Sequence, residues 1–153
     1  MKNLLVSLIL VAVAMSQTQV SIGQPLTNSR QVQLPYNRMI QPAGLQIFFG
    51  EKSLENHSLD AALSPDGKWL AVMERYSIIF INTSDNEVKY RLANDSHPDL
   101  KGGMNTYSGI IWHNGKDLPE VFWSVIGDKD RSFVASAKWN GVTAELRCGS
   151  DVV

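Results

Sequence analysis

The sequence predicts an all-β fold in which two four-stranded antiparallel units follow an extended N-terminal segment. From residue 59 onwards, short runs rich in β-branched and aromatic residues alternate with turn-forming residues, a pattern typical of strands joined in meanders. The second half of the chain repeats this scheme about 48 positions after the first half. With 44% hydrophobic and 19% charged residues among 153, the composition suits one globular core.

Residues 1–23 are predicted to be a signal peptide and the start of the mature chain. Lys2 supplies a positive charge, residues 4–14 form an apolar run, and Ala12-Val13-Ala14 offers small residues at the positions that a signal peptidase reads. The apolar run is shorter than the roughly 20 residues that span a bilayer, so no membrane anchor is expected after cleavage. The sequence therefore predicts an exported protein, periplasmic or extracellular.

Residues 24–55 are predicted to form an extended lead-in with one short strand. Pro25, Pro35 and Pro42 interrupt a polar stretch, which favours an extended conformation. The segment LQIFFG, residues 45–50, is apolar and aromatic, and we expect it to be the single strand of this region.

The first four-stranded unit is predicted over residues 56–93. Its first hairpin turn is Ser64-Pro65-Asp66-Gly67, in which Pro65 presets the φ angle of the first central position and Gly67 takes a position with φ above zero. This turn is therefore interpreted as architecture rather than as a chemical site. Strands are predicted at residues 59–63, 68–74, 77–82 and 87–92.

The second unit is predicted over residues 105–147, followed by a tail at 148–153. Asn114-Gly115 aligns with Asp66-Gly67 of the first unit, and Asn140-Gly141 is a strong hairpin signal. Strands are predicted at residues 107–116, 120–127, 131–139 and 142–146. Two units of four strands with a period of about 45 to 50 residues predict two neighbouring blades of a β-propeller.

Several segments narrow this prediction to a family. The runs LPYNRMIQPAGLQIFFG, LDAALSPDGKWLAVME, SIIFINTSDNEV and TYSGIIW lie within residues 34–146. They resemble the start of YncE-like (YVTN-repeat) β-propeller domains of exported bacterial proteins, in particular those in which the propeller precedes an alkaline-phosphatase-type phosphoesterase domain. The piece ALSPDGKWLAV occurs across many propeller families, so it indicates architecture rather than activity.

The resemblance implies a non-catalytic interaction or scaffold module. The alternative that it leaves open is the N-terminal propeller portion of a phosphoesterase whose catalytic domain is absent from this chain. Because a closed propeller has 4 to 8 blades, two blades predict that the chain is an incomplete fragment from a truncated or frameshifted reading frame. The expected partners are a protein or the missing blades of the same propeller, with self-association of the exposed blade faces.

The second unit departs from the family pattern at its first hairpin. The run WHNGKDLPEVFWS, residues 112–124, stands where a second Ser-Pro-Asp-Gly turn is expected. We therefore expect a longer or distorted hairpin there.

Few residues of the sequence are candidates for a chemical site. The sequence predicts no catalytic residue, no metal ligand and no cofactor, and it leaves the ligand unknown. The three histidines have no spacing typical of a zinc site, and Cys148 has no histidine near it in sequence. Asp128 and Asp130 lack the remaining ligands of a calcium loop. A net charge of −1 without a basic stripe argues against nucleic-acid binding. The histidines are His57, His97 and His113.

The four tryptophans are predicted to pack in the core rather than to line a ligand groove. They fall within or beside predicted strands, where large rings usually fill the space between neighbouring sheets. Trp112 is the exception, because it ends a strand just before a turn and is expected near the rim. The other three are Trp69, Trp123 and Trp139.

Overall fold

The computed structural model of the chain describes residues 32–41, 44–107, 109–127 and 131–149. The predicted signal peptide and the pair Asp128 and Asp130 lie outside the described residues. The chain divides into two compact units, residues 1–46 and 47–153. Within its described part, no helix combines the length and the hydropathy needed to span a membrane.

Within residues 1–46, the structure has a short hairpin that sequence patterns did not predict. Strand β1 (Val32–Leu34) pairs antiparallel with β2 (Arg38–Ile40), and a 3-10 turn, Pro35–Asn37, joins them. Tyr36 and Asn37 have φ angles of 64° and 57°. Two successive residues in the left-handed region reverse the chain without a glycine, which is why the usual turn signals are missing here.

The strand predicted at residues 45–50 is wrong, since residues 45–49 belong to no strand. The side chains of this segment nevertheless alternate in burial: Ile47 and Phe49 are half-buried and Phe48 is exposed. Ile47 and Phe49 pack against the first sheet described below. The segment therefore packs part of its side chains on the sheet without the backbone pairing that defines a strand.

The first sheet has the four antiparallel strands that the sequence predicts between residues 59 and 92. It consists of β3 (Ser58–Leu63), β4 (Trp69–Glu74), β5 (Ser77–Asn82) and β6 (Val88–Ala93), in the order β3-β4-β5-β6. All neighbouring strands are antiparallel, so the sheet is a simple meander.

The second sheet has five strands, which correspond to a four-stranded blade whose first strand is split. Both β7 (Met104–Asn105) and β8 (Ile111–His113) pair with β9 (Glu120–Ile126), one at each end of it. The strand predicted at residues 107–116 is therefore shorter: residues 111–113 pair with β9, and the described residues 107, 109 and 110 belong to no strand. The sheet continues through β10 (Ser132–Trp139) to β11 (Ala144–Cys148). Cys148, predicted to begin a tail, is the last residue of β11.

The hairpin between β3 and β4 differs from the one between β8 and β9, as the sequence predicted. In the first sheet, Gly67 has a φ of 71° and its N–H donates to the Ser64 carbonyl at 2.8 Å. The Ser64 hydroxyl donates to Asp66 at 2.7 Å and accepts from the Trp69 N–H at 2.9 Å. The bonds that Asp66 accepts, led by the one from Ser64, hold its pKa below its ordinary value. The corresponding connection in the second sheet runs over residues 114–119 and is longer.

The two sheets pack face to face around one apolar core. The Phe80 and Trp139 rings stack with centroids 4.3 Å apart, and Trp69 meets Trp139 edge-on at 4.9 Å. Strand β3 lies against β8, and β6 lies against β11, so corresponding strands of the two sheets face each other. This all-β arrangement is consistent with two neighbouring blades of a β-propeller. The buried core comprises Ala71, Met73, Ile78, Phe80, Leu92, Leu100, Ile110, Val121, Trp123, Val125, Phe133, Ala135, Ala137 and Trp139.

Candidate functional sites

A buried polar network joins the two sheets at one end. Its centre is the Asn105 amide, whose Nδ2 donates to the backbone carbonyls of Glu74 at 2.6 Å and Ser77 at 3.1 Å. The Asn105 Oδ1 accepts from Asn94 Nδ2 and from Trp123 Nε1, both at 3.0 Å. Because the two donors and two acceptor positions of this amide are all used, Asn105 has a structural role and no capacity left for a ligand.

A second set of polar contacts joins the sheets at the first-strand edge. Asp60 in β3 accepts from the N–H groups of Gly109 at 2.8 Å and Ile110 at 3.4 Å. Hydrogen bonds from Gly109 and from Ala61 hold the pKa of Asp60 below its ordinary value. Trp112 Nε1 donates to the Ala62 carbonyl at 2.9 Å, and its ring packs against the core.

The tryptophans are therefore core residues, as predicted. Trp123 and Trp139 are buried, and Trp69 and Trp112 pack partly buried against the same cluster. Trp112 is half-buried at the edge of the sheet packing, but its indole N–H is already bonded between the sheets.

A pocket of about 250 Å³ opens beside β3 and β7. The Glu55 carboxylate lies in it, 2.8 Å from His57 Nε2, and forms an ion pair with Arg75 Nη1 at 2.6 Å. The bond from His57, followed by the charge of Arg75, lowers the pKa of Glu55. Arg75 also donates to the Met104 sulfur at 3.2 Å. His57 and Arg75 therefore both contact Glu55. The rest of the pocket lining is largely apolar and consists of Leu59, Met104, Ile126 and Tyr107, with Asn105 and Thr106.

The structure separates the three histidines into three places. His57 lies in the pocket, and His113 lies on β8, where its ring meets the Phe122 ring edge-on at 6.3 Å. His97 lies in the connection between the sheets, where one of its nitrogens lies within 4.8 Å of an Asp99 oxygen and of Cys148 Sγ. Cys148 was not expected to belong to a site, because no histidine is near it in sequence. The fold brings His97 to it across about 50 positions, and no local spacing signal could have shown this.

The outer faces of the two sheets differ strongly in burial. On the first sheet, the outward residues Val72, Ile79 and Ile81 are buried, with Ile47 and Phe49 packed against them. The outward face of the second sheet carries apolar side chains that are open to solvent. Ile111, Val134 and Ile126 are 61%, 43% and 42% exposed, and Phe122 lies half-buried beside them.

No protein-family model, no curated protein and no solved structure matches this chain. The YncE-like resemblance therefore stays a prediction that rests on the sequence segments alone.

Proposed function

We propose that the chain is a non-catalytic interaction module of an exported protein, which packs another β-sheet against the outer face of its second sheet. The observation that carries this proposal is the exposure of Ile111, Ile126 and Val134 on that face. On the equivalent face of the first sheet, the central strands are covered by Ile47 and Phe49, whereas Leu63 and Val88 of the edge strands are exposed. Clustered apolar side chains that are exposed on one sheet face are typical of an interaction surface.

The shape of the outer face favours a sheet as the occupant. Ile111 and Phe122 are direct cross-strand partners, and Val134 stands opposite Ser124. Small serine side chains between larger apolar ones let a second sheet approach to the spacing of about 10 Å that stacked sheets adopt. The inner faces of this molecule already pack in that way, so the same chain supplies a suitable partner.

The occupant that we expect in the purified protein is a second copy of the chain. Charged residues stand at the end of the face where β9 begins, and Glu120 there accepts from the Ser136 hydroxyl at 2.8 Å. Lys138 and Glu145 are paired across the same end of the sheet. A face with an apolar part and a border of both charge signs is suited to a copy of itself, because the two copies can place opposite charges together.

The phosphoesterase alternative rests on the resemblance alone. It describes a longer protein, whereas the interaction proposal concerns a surface that this chain itself carries. The two also differ in what they predict, since the interaction module has no phosphatase or esterase turnover of its own.

The test is the mass of residues 24–153 in solution, measured by light scattering coupled to size exclusion over a wide range of concentrations. We expect the wild type to be oligomeric or prone to aggregation. Val134→Lys places a charge in the centre of the outer face and should weaken the association by about tenfold or more, because burial of an unpaired ammonium group is costly.

The matched control is Val142→Lys, which introduces the same charge at a residue that is 70% exposed in the hairpin between β10 and β11. It should associate as the wild type does. A sharp, cooperatively melting monomer at every concentration would contradict the proposal and would favour a self-contained β-sandwich. Equal weakening by both substitutions would show that charge, and not this face, controls association.

A further inference from the structure

Three potential metal ligands of different kinds meet where the connection between the sheets passes the end of the last strand. His97 precedes the short 3-10 helix Pro98–Leu100, Asp99 lies within it, and Cys148 ends β11. Because β11 lies against β6, and the connection leaves from β6, the fold brings these distant residues together. An imidazole nitrogen, a carboxylate oxygen and the Cys148 Sγ all lie within 4.8 Å of one another.

We propose that His97, Asp99 and Cys148 form a site for a divalent transition metal ion, with Zn²⁺ the best match. Zinc binds thiolate sulfur at about 2.3 Å, imidazole nitrogen at about 2.0 to 2.1 Å and carboxylate oxygen at about 2.0 to 2.2 Å in tetrahedral geometry. Those bond lengths place ligand atoms roughly 3.3 to 3.8 Å apart around the ion. The proposal departs from the expectation of no metal ligand, which considered only local spacing.

The distances in the site are close to those that a bound ion requires. Asp99 Oδ2 lies 3.7 Å from His97 Nδ1, a separation that two ligands of one zinc ion adopt, and binding through Nδ1 replaces the 3.3 Å hydrogen bond that it accepts from the Asp99 N–H. The 4.8 Å limit on the other pairs leaves at most about 1 Å of closure, and side-chain rotation supplies that. The ligand set of nitrogen, oxygen and sulfur suits a borderline-soft ion and does not suit calcium or magnesium, which prefer oxygen alone.

The backbone that carries two of these ligands is anchored. Leu100 is buried in the core, and its N–H donates to the His97 carbonyl at 3.1 Å. The Gly102 N–H donates to Asp95 Oδ1 at 2.9 Å, which fixes the far side of the same connection. His97 and Asp99 are therefore held at defined positions, so that binding costs little additional ordering of the chain.

Binding at this site has two consequences. The Cys148 thiol releases its proton to water when its sulfur binds the ion, so that metal affinity rises with pH through the range in which thiol and imidazole are deprotonated. The ion also joins the connection between the sheets to the last strand. With three protein ligands, a water molecule completes the tetrahedron.

The experiment uses the full chain, reduced, freed of metal by a strong chelator and then titrated with Zn²⁺ against a chromophoric competitor. We expect one ion per chain. Loss of an outer-shell partner alone typically costs about 10- to 100-fold in metal affinity, so Cys148→Ser and His97→Gln should each cost about 100-fold or more. The control His113→Gln removes a histidine that lies away from the site and should bind as the wild type does.

Cobalt provides a second readout that does not depend on the variants folding equally well. Co²⁺ added to the wild type should give the near-ultraviolet absorption of a thiolate-bound ion, and the Cys148→Ser protein, checked for its β-sheet circular dichroism, should lack that band. Absence of Zn²⁺ binding by the wild type in the micromolar range would overturn the proposal. So would binding that survives both Cys148→Ser and His97→Gln unchanged.

Discussion

The central strands of the first sheet are buried on both faces, whereas those of the second sheet are buried on one, and their sequences differ accordingly. Strand β5, SIIFIN, is apolar at four consecutive positions, and its first five residues are all buried. Strand β9, EVFWSVI, alternates between buried and more exposed residues. A continuous apolar run belongs to a strand covered on two sides, and alternation belongs to a strand covered on one side.

Two outward residues of β9 are apolar where polar residues are expected. Phe122 and Ile126 point to the outer face, where a strand with one solvated side would be expected to carry polar residues. Together with Val134 in β10, they give the second sheet a face that is less apolar than its core side and more apolar than an ordinary solvent face. This difference between the two sheets is the physical basis of the proposed interaction surface.

The largest effect is expected where the two sheets are joined, at Asn105. Replacement by leucine removes the hydrogen-bond partners of Asn94, Trp123 and two backbone carbonyls while they stay buried. Each orphaned group costs about 1 to 3 kcal/mol, so Asn105→Leu should lower the free energy of unfolding by about 4 kcal/mol or more. Urea denaturation measures this. The control Asn114→Leu, at an exposed loop residue, should change stability little.

The next prediction compares the two outer faces directly. Ile79 on the first sheet is completely buried, and Ile79→Ala should cost about 3 kcal/mol, within the range for truncating a buried isoleucine. Val134→Ala on the exposed face of the second sheet should cost less than about 1 kcal/mol in the dissociated protein. Both values come from thermal or urea unfolding at a concentration where the chain is dissociated. Equal losses at the two positions would contradict the difference in burial.

A smaller effect is expected at Gly67 and Gly115, one in the β3–β4 hairpin and one in the β8–β9 hairpin, because a side chain is disfavoured at them for different reasons. Gly67 has a φ of 71° and open space where a Cβ would stand, so Gly67→Val should cost about 1 kcal/mol or more through backbone strain alone. In the second sheet, a Cβ on Gly115 would lie 2.2 Å from the Leu118 carbonyl oxygen, so Gly115→Ala destabilises by collision. Melting temperatures measure both, with Lys68→Gln as the control that should change little.

The smallest effect is a pH dependence at the contact between Asp60 and the second sheet. Because hydrogen bonds from Gly109 and Ala61 lower the folded-state pKa of Asp60 from its ordinary 3.8, its contribution to stability is fully present above that value. The contribution is lost as the pH falls through the lowered value. Asp60→Asn should therefore reduce the acid-induced part of the stability loss, measured by urea unfolding at about pH 7, 5 and 3. Asp117→Asn, in the exposed loop 114–119, should keep the wild-type dependence.

Sequence patterns were sufficient for the strands that carry the core. The predicted strand 77–82 matches β5, and 131–139 matches β10 within one residue, because both are long, rich in β-branched or aromatic residues, and flanked by turn formers. The positive φ of Gly67 followed from the residue types of its turn. These features are local, and local chemistry determines them.

The features that sequence reasoning missed depend on contacts between distant parts of the chain. Gly109, with a φ of 103°, is a local sign that the strand predicted at 107–116 is irregular, but the sequence does not show the partner, since Gly109 and Ile110 donate hydrogen bonds to Asp60 in the other sheet. The meeting of His97 with Cys148 likewise requires β6 to lie against β11. Such pairings follow from how the sheets pack and leave no periodic signal in the sequence.

The most direct test of the central claim is hydroxyl-radical footprinting of residues 24–153 at a low and a high protein concentration. We expect Phe122 and Ile126 on the second sheet to lose labelling as the chain associates. Leu63 and Val88, which are exposed on the first sheet, should keep their labelling and serve as internal controls. Protection that appears equally on both sheets, or labelling of Phe122 and Ile126 that does not change while the mass increases, would contradict the proposed interaction surface.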